Sequence, residues 1–181
     1  MGRSQRRANL KEISREYRFA SMYYDWVCEC LEEDEKYEEL AFFKFGVDLM
    51  VRQKELTGIK FSQIEFPYVK DIQVTKVVKI PVEPTEDDDR EYKYRFAEPS
   101  FYEPRLISRD TYNSVNRLWS EGKDKIFEKS AMEYSQSIKE SIGDSRFNAH
   151  MMRSIGTQFL AEICEQVGRL DDEIILLSRM Q

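Results

Sequence analysis

The apolar positions near the N-terminus repeat with a helical period. Leu10, Ile13, Tyr17, Ala20, Tyr24, Val27 and Leu31 are separated by alternating steps of three and four residues, which keeps them on one helix face. Met22, Tyr23, Trp26 and Cys30 widen that face, so the helix is expected to be buried on more than one side. The run EEDEK at 32–36 predicts a turn. A second helix follows on Leu40, Phe43, Val47 and Met50, with Gly58 as its expected C-terminal cap. So short a turn makes the two helices antiparallel neighbours.

The period then changes. In residues 74–80, Val74, Lys76, Val78 and Ile80 alternate with Thr75, Val77 and Lys79. In residues 91–96, Tyr92, Tyr94 and Phe96 alternate with Lys93 and Arg95. Alternation of this kind predicts two strands, joined by the acidic turn at 83–90 into a β-hairpin. Residues 59–69 suit a further short strand, and FAEPSFYEPR at 96–105 reads as a proline-punctuated linker. Ser108 has the chemistry of an N-cap, with Asp110 in the first turn behind it. Tyr112, Val115, Trp119, Phe127, Ala131, Tyr134, Ile138 and Ile142 make the stripe of a third helix, weakened at Gly122 and ended at Gly143. A fourth helix over about 146–179 carries Met152, Ile155, Phe159, Ile163, Val167, Leu170, Ile174 and Leu177.

The expected fold is therefore mainly α with a small β insert (α+β): four long helices as two antiparallel αα-hairpins joined by a β-hairpin crossover. Its parts are a flexible basic arm at 1–8, a first helical hairpin at 9–58, a β-hairpin insert and proline-rich linker at 59–107, and a second helical hairpin at 108–181 that forms one bundle with the first. The rival is an elongated coiled coil in which the fourth helix pairs with a copy of itself.

Composition fits a folded chain. The 181 residues are 41% hydrophobic and 34% charged, enough apolar surface to offset the entropy of ordering. All five prolines fall between 67 and 104, leaving long stretches free to be helical. A net charge of −6 opposes nucleic-acid binding by the body. Three cysteines suit reduced thiols in a cytoplasmic protein better than a disulfide framework. Neither a signal peptide nor an apolar run approaching the roughly 20 residues of a membrane span is evident.

Candidate chemistry is sparse. Asp71 or Asp87 with Glu91 and Lys93 imitates the carboxylate and Glu-x-Lys spacing of metal-dependent nucleases. Residues two apart on a strand share a face, but three aspartates in a turn are solvated and a poor base for fixed geometry. The stretch is expected to be a wet hairpin tip. His150 is the only histidine, too few for a zinc finger or a di-iron bundle site, and is expected at the surface near the start of the fourth helix. Cys28-x-Cys30 lacks the spacing of a zinc knuckle, the glutamates at 29–39 lack that of a calcium loop, and no glycine-rich phosphate loop exists. No catalytic, cofactor-binding or metal residue is assigned.

Two features suit binding. Arg3, Arg6, Arg7, Lys11 and Arg15 form a basic arm that could meet nucleic acid or an acidic partner. Tyr92, Tyr94, Phe96, Phe101 and Tyr102 concentrate aromatic surface in the insert, and aromatics are enriched at interface cores. The expected function is a non-enzymatic protein–protein interaction or assembly subunit, a structural or accessory part of a larger complex, a description that a viral or phage component also fits. It has a protein partner or self-associates, and needs no membrane, cofactor or small-molecule substrate. One alternative is an accessory subunit that binds nucleic acid through the arm. The other is a metal-dependent hydrolase using Asp87, Glu91 and Lys93. No motif is specific enough to name a family.

Overall fold

The computed structural model describes residues 20–51, 53–65, 76–81 and 102–167. They are mostly helical, with six α-helices among them: α1 (Ala20–Glu33), α2 (Tyr37–Leu49), α3 (Gln53–Gly58), α4 (Arg109–Asn116), α5 (Ala131–Ile142) and α6 (Ala149–Val167). None of these is long and apolar enough to cross a membrane. Three short strands, β1 (Ile64–Glu65), β2 (Lys76–Pro81) and β3 (Tyr102–Ile107), run antiparallel in the order β1-β2-β3.

The architecture corrects the expected one in three places. First, the β-hairpin joining 74–80 to 91–96 is not the pairing observed. β2 pairs along its whole length with β3, from Lys76↔Ile107 to Pro81↔Tyr102. Its other neighbour is β1, through Ile64↔Val78 and Glu65↔Val77. Both sides of β2 thus have other partners, and no hairpin closed by a short turn is seen among the described residues. The expected linker is a strand, and among the described residues β3 lies at the edge of the sheet. An edge strand needs donors on one side only, so Pro104 is tolerated opposite Lys79.

Second, the helices are not four long ones. The second expected helix stops at Leu49, where Met50 takes a left-handed conformation (φ 52°) and donates its N–H to the Gly46 carbonyl. A separate short α3 then carries Gln53 to Gly58. Third, the expected helix over 108–142 is two helices. α4 begins on the Ser108 cap, whose hydroxyl accepts the Thr111 N–H at 3.1 Å. It ends at Asn116, and Gly122 in the following loop has φ +80°. α5 opens on a capping box of its own, Ser130 with Glu133. A strong N-cap in mid-stripe starts a new helix there.

The core is built round α2. Its sequence, YEELAFFKFGVDL, is apolar on nearly every side, and such a helix belongs inside. It packs against each of the other five helices and against β3. Phe42 stacks on Tyr134 of α5 (centroids 4.4 Å, planes 18° apart) and meets Phe127 edge-on at 5.4 Å. The three rings interlock, since Phe127 also meets Tyr134 at 5.7 Å. The α1–α2 turn is closed without glycine. The N–H of Lys36 reaches the Leu31 carbonyl (2.9 Å) and that of Glu35 reaches Glu32 (3.1 Å), with Glu35 itself left-handed (φ 55°).

Candidate functional site

Two polar clusters, each with a buried charged side chain, and an exposed tryptophan stand out. In the first cluster, α2 carries Lys44 into the seam between α1 and α4. Its side chain is 5% exposed, and its Nζ lies 2.7 Å from Asp110 Oδ2 and 3.6 Å from Glu32 Oε1. Burial works against the charge, but the Asp110 hydrogen bond and the neighbouring acidic groups outweigh it and hold the ammonium above its ordinary pKa. One turn further on, Asp48 Oδ2 accepts the N–H of Ser108 at 2.7 Å, so α2 also anchors the start of α4. Burial raises the Asp48 carboxyl above the usual range. Facing them on α1, Tyr24 and Cys28 share a hydrogen bond. Burial pushes the Cys28 thiol up to about 12 and the Tyr24 hydroxyl well above its ordinary value. Both are protonated at neutral pH, and a protonated thiol is a poor nucleophile. The cluster ties three helices together.

The second cluster joins the start of α2 to the start of α5. Lys129 Nζ bridges Glu39 (2.8 Å) and Glu38 (3.5 Å). The Tyr134 hydroxyl donates to Glu38 Oε1 and accepts the Lys129 N–H at 3.2 Å. The Glu128 N–H also reaches Glu38 Oε1, at 3.3 Å. Burial raises the Tyr134 hydroxyl pKa, and the bond to Glu38 adds to it. Both carboxylates are engaged by cations and N–H donors, which marks a fastening.

The exposed aromatic is Trp119. The sequence stripe assigns it to a buried helix face, but the chain leaves α4 three residues earlier and Trp119 is 57% exposed. Two residues before it, the Arg117 guanidinium lies over the Tyr37 ring, 5.4 Å from the centroid. Tyr37 is itself exposed, as is Met132 in the first turn of α5. The buried apolar residues of this part of the chain are Ile126 and Phe127, from the loop. A sequence signal existed: SEGKDK after Trp119 holds no apolar residue to continue a stripe.

Most expected site residues lie outside the described residues. These are Arg3, Arg6, Arg7, Lys11 and Arg15 of the arm, Tyr92, Tyr94, Phe96 and Phe101 of the insert, and Asp71, Asp87, Glu91 and Lys93 of the nuclease-like pattern. Tyr102 opens β3, with its backbone opposite Pro81. His150 is exposed in the first turn of α6. Cys28 is buried and Cys30 half-buried, both as free thiols. Among the described residues no three His, Cys, Asp or Glu side chains are grouped so as to hold a metal ion. The chain matches no family model, no curated protein and no solved structure.

Proposed function

We propose that the chain is a non-enzymatic interaction or assembly subunit, and that Trp119 is part of the surface by which it binds a protein. The exposure of Trp119 carries this reading. A tryptophan held in water on a loop leaves a large apolar surface unburied, and tryptophan, tyrosine and arginine are the residues most enriched where interfaces concentrate their binding energy. Arg117, two residues before it in the chain, and Tyr37, whose ring lies under that guanidinium, supply the other two. The two polar clusters support the same reading, because their ion pairs and hydrogen bonds fasten helices to one another.

The test is site-specific photocrosslinking. A photoreactive phenylalanine analogue is placed at 119, and a control at exposed Glu140 of α5. A discrete adduct from 119, absent from 140 and lost when Tyr37 and Arg117 are both replaced by alanine, supports the reading. No adduct from 119, or the same adducts from both positions, overturns it. The adduct's mass tells a second copy from a different protein.

A further inference from the structure

α4 runs antiparallel to α2. The N–H of Ser108, just before α4, bonds Asp48 near the end of α2; Asp110 bonds Lys44; and the Arg117 guanidinium, just after α4, covers the Tyr37 ring at the start of α2. The end of α4 therefore meets the α1–α2 turn at one end of the body. The backbone there is held. The N–H of Leu118 reaches the Val115 carbonyl at 3.0 Å, and that of Trp119 reaches the Asn116 carbonyl at 3.1 Å. Further along the loop, the Asp124 carbonyl accepts the Phe61 N–H at 2.8 Å, and Ile126 and Phe127 enter the core. The loop carrying Trp119 is pinned on both sides of it, and a pinned side chain has less freedom to lose on binding.

The charge of this end is unbalanced. The turn at 32–36 and the loop at 117–130 hold seven carboxylates and five cations. Each cation is engaged. Arg117 lies on Tyr37, Lys36 Nζ donates to the Ser137 carbonyl, Lys123 and Lys125 both pair with Glu128, and Lys129 bridges two glutamates. Of the carboxylates, Glu33, Asp34, Glu35 and Glu121 are exposed and have no ion pair among the described residues. The surplus reaches Cys30, whose thiol pKa is raised first by burial and then by Glu33, Asp34 and Glu29. The fold already seats one guanidinium here, over Tyr37 beside the acidic turn. Trp119, a better ring for a cation than tyrosine, is exposed and has no cation or ring contact among the described residues.

Taking Trp119 as a binding residue, we infer that its partner presents an arginine-bearing basic protein segment, which lays a guanidinium on the indole and its remaining charge along Glu33, Asp34 and Glu121. Arginine suits the site better than lysine, because its planar head stacks on aromatic faces and is more weakly hydrated. The net charge of −6 draws any cation from a distance; the indole and the acidic turn together make the attraction local.

Peptide titration tests it. Hexa-arginine and hexa-lysine peptides carrying a fluorophore are titrated with the full chain and followed by anisotropy. Hexa-arginine is expected to bind at least about threefold more tightly than hexa-lysine. Trp119→Ala, and separately Glu33→Gln with Asp34→Asn, are each expected to weaken it at least about threefold. Asp25→Asn with Glu140→Gln removes two charges elsewhere and is expected to weaken it less than about twofold. All five positions are exposed, so the variants are expected to keep the parent's urea midpoint to within a small shift. No binding up to about 1 mM, equal affinity for the two peptides, an unchanged affinity in Trp119→Ala, or equal losses from the two double variants overturns the inference. Photocrosslinking from 119 in the Glu33→Gln, Asp34→Asn background separates the partner's chemistry from the interface itself. Loss of the adduct supports the basic segment. An adduct that survives leaves Trp119 at an interface and overturns the basic partner.

Discussion

Gly156 of α6 lies directly on the backbone of Val47 in α2. A Cβ at position 156 would stand 2.2 Å from the Val47 carbonyl oxygen and 2.8 Å from Met50 Cγ. The opposite approach, at Gly46, is limited by the Met152 side chain, whose Sδ would lie 2.7 Å from a Cβ there. Gly156 lets α6 approach the backbone of the central helix, and Gly46 makes room for the Met152 side chain.

The two positions differ in what must move. Gly156→Ala presses on a carbonyl held in a helix, whereas Gly46→Ala presses on the end of a flexible methionine. Alanine favours the helix over glycine by up to about 1 kcal/mol, and overpacking costs about 1–3 kcal/mol. Gly156→Ala is therefore expected to lower stability by about 1–2 kcal/mol, and Gly46→Ala by clearly less. Urea midpoints at constant slope check the order. Equal losses would mean that α6 slides freely over α2.

The Lys44 pair is asymmetric. Lys44 is almost fully buried, while Asp110 is 67% exposed. Removing the carboxylate strands a buried cation with Glu32 as a distant partner; removing the cation lets two carboxylates relax into water. Asp110→Asn is expected to cost about 1 kcal/mol, the exposure of Asp110 keeping the figure low. Lys44→Met, which keeps the stem, is expected to cost less. The double variant should be no less stable than Lys44→Met alone, and a full denaturation cycle of the four proteins measures the coupling.

Much of the local structure was legible in the chain. The stripe through Val27 and Leu31, a turn within 32–36 (the helix itself runs on to Glu33), the Ser108 cap and the Gly143 terminus are each written in a few neighbouring residues. The errors arose where distant parts compete. The strand at 102–107 could not be told from a linker, because Pro104 is acceptable only at a sheet edge, and edge position is a property of the whole sheet. The stripe from Tyr112 to Ile142 kept its period across a loop, because Ile126 and Phe127 enter the core without being helical. Ser130-x-x-Glu133 was the local clue to that break. Trp119 departs from its stripe for the same reason: spacing assigns a residue to a face, and only the end of α4 decides whether that face exists. Lys44 carried no signal, since a lone lysine in an apolar helix needs partners from two other helices.

Thiol reactivity separates the two cysteines of α1. Burial suppresses the Cys28 thiolate, whereas Cys30 is half-buried and less shielded, though its pKa is also raised, first by burial and then by Glu33, Asp34 and Glu29. With Cys164 replaced by serine, a thiol reagent at pH 8 is expected to modify Cys30 at least about tenfold faster than Cys28. In denaturant the two rates should converge. Comparable rates in the folded protein would place Cys28 at an open surface.

Alkaline pH should loosen the Tyr134 cluster in a way that Tyr134→Phe reveals. The folded hydroxyl has a pKa above its unfolded value of 10.0, first through burial and then through its bond to Glu38. A group whose folded pKa is raised stabilises fully below the unfolded pKa, and that contribution is lost as pH climbs through the folded one. Stability is thus expected to fall above about pH 10. Tyr24 and Cys28 are raised in the same direction and add to the fall, with the Cys28 part beginning near its ordinary value of 9.0. Tyr134→Phe loses the donor to Glu38 and the acceptor for the Lys129 N–H, so it should be about 1–2 kcal/mol less stable at pH 7. The gap between variant and parent should then narrow steadily above pH 10, because the variant has no proton to lose at that position. Denaturant titrations at pH 7, 9, 10 and 11 measure it, and a gap that stays constant would show that the Tyr134 hydroxyl ionises no differently in the folded and unfolded chains.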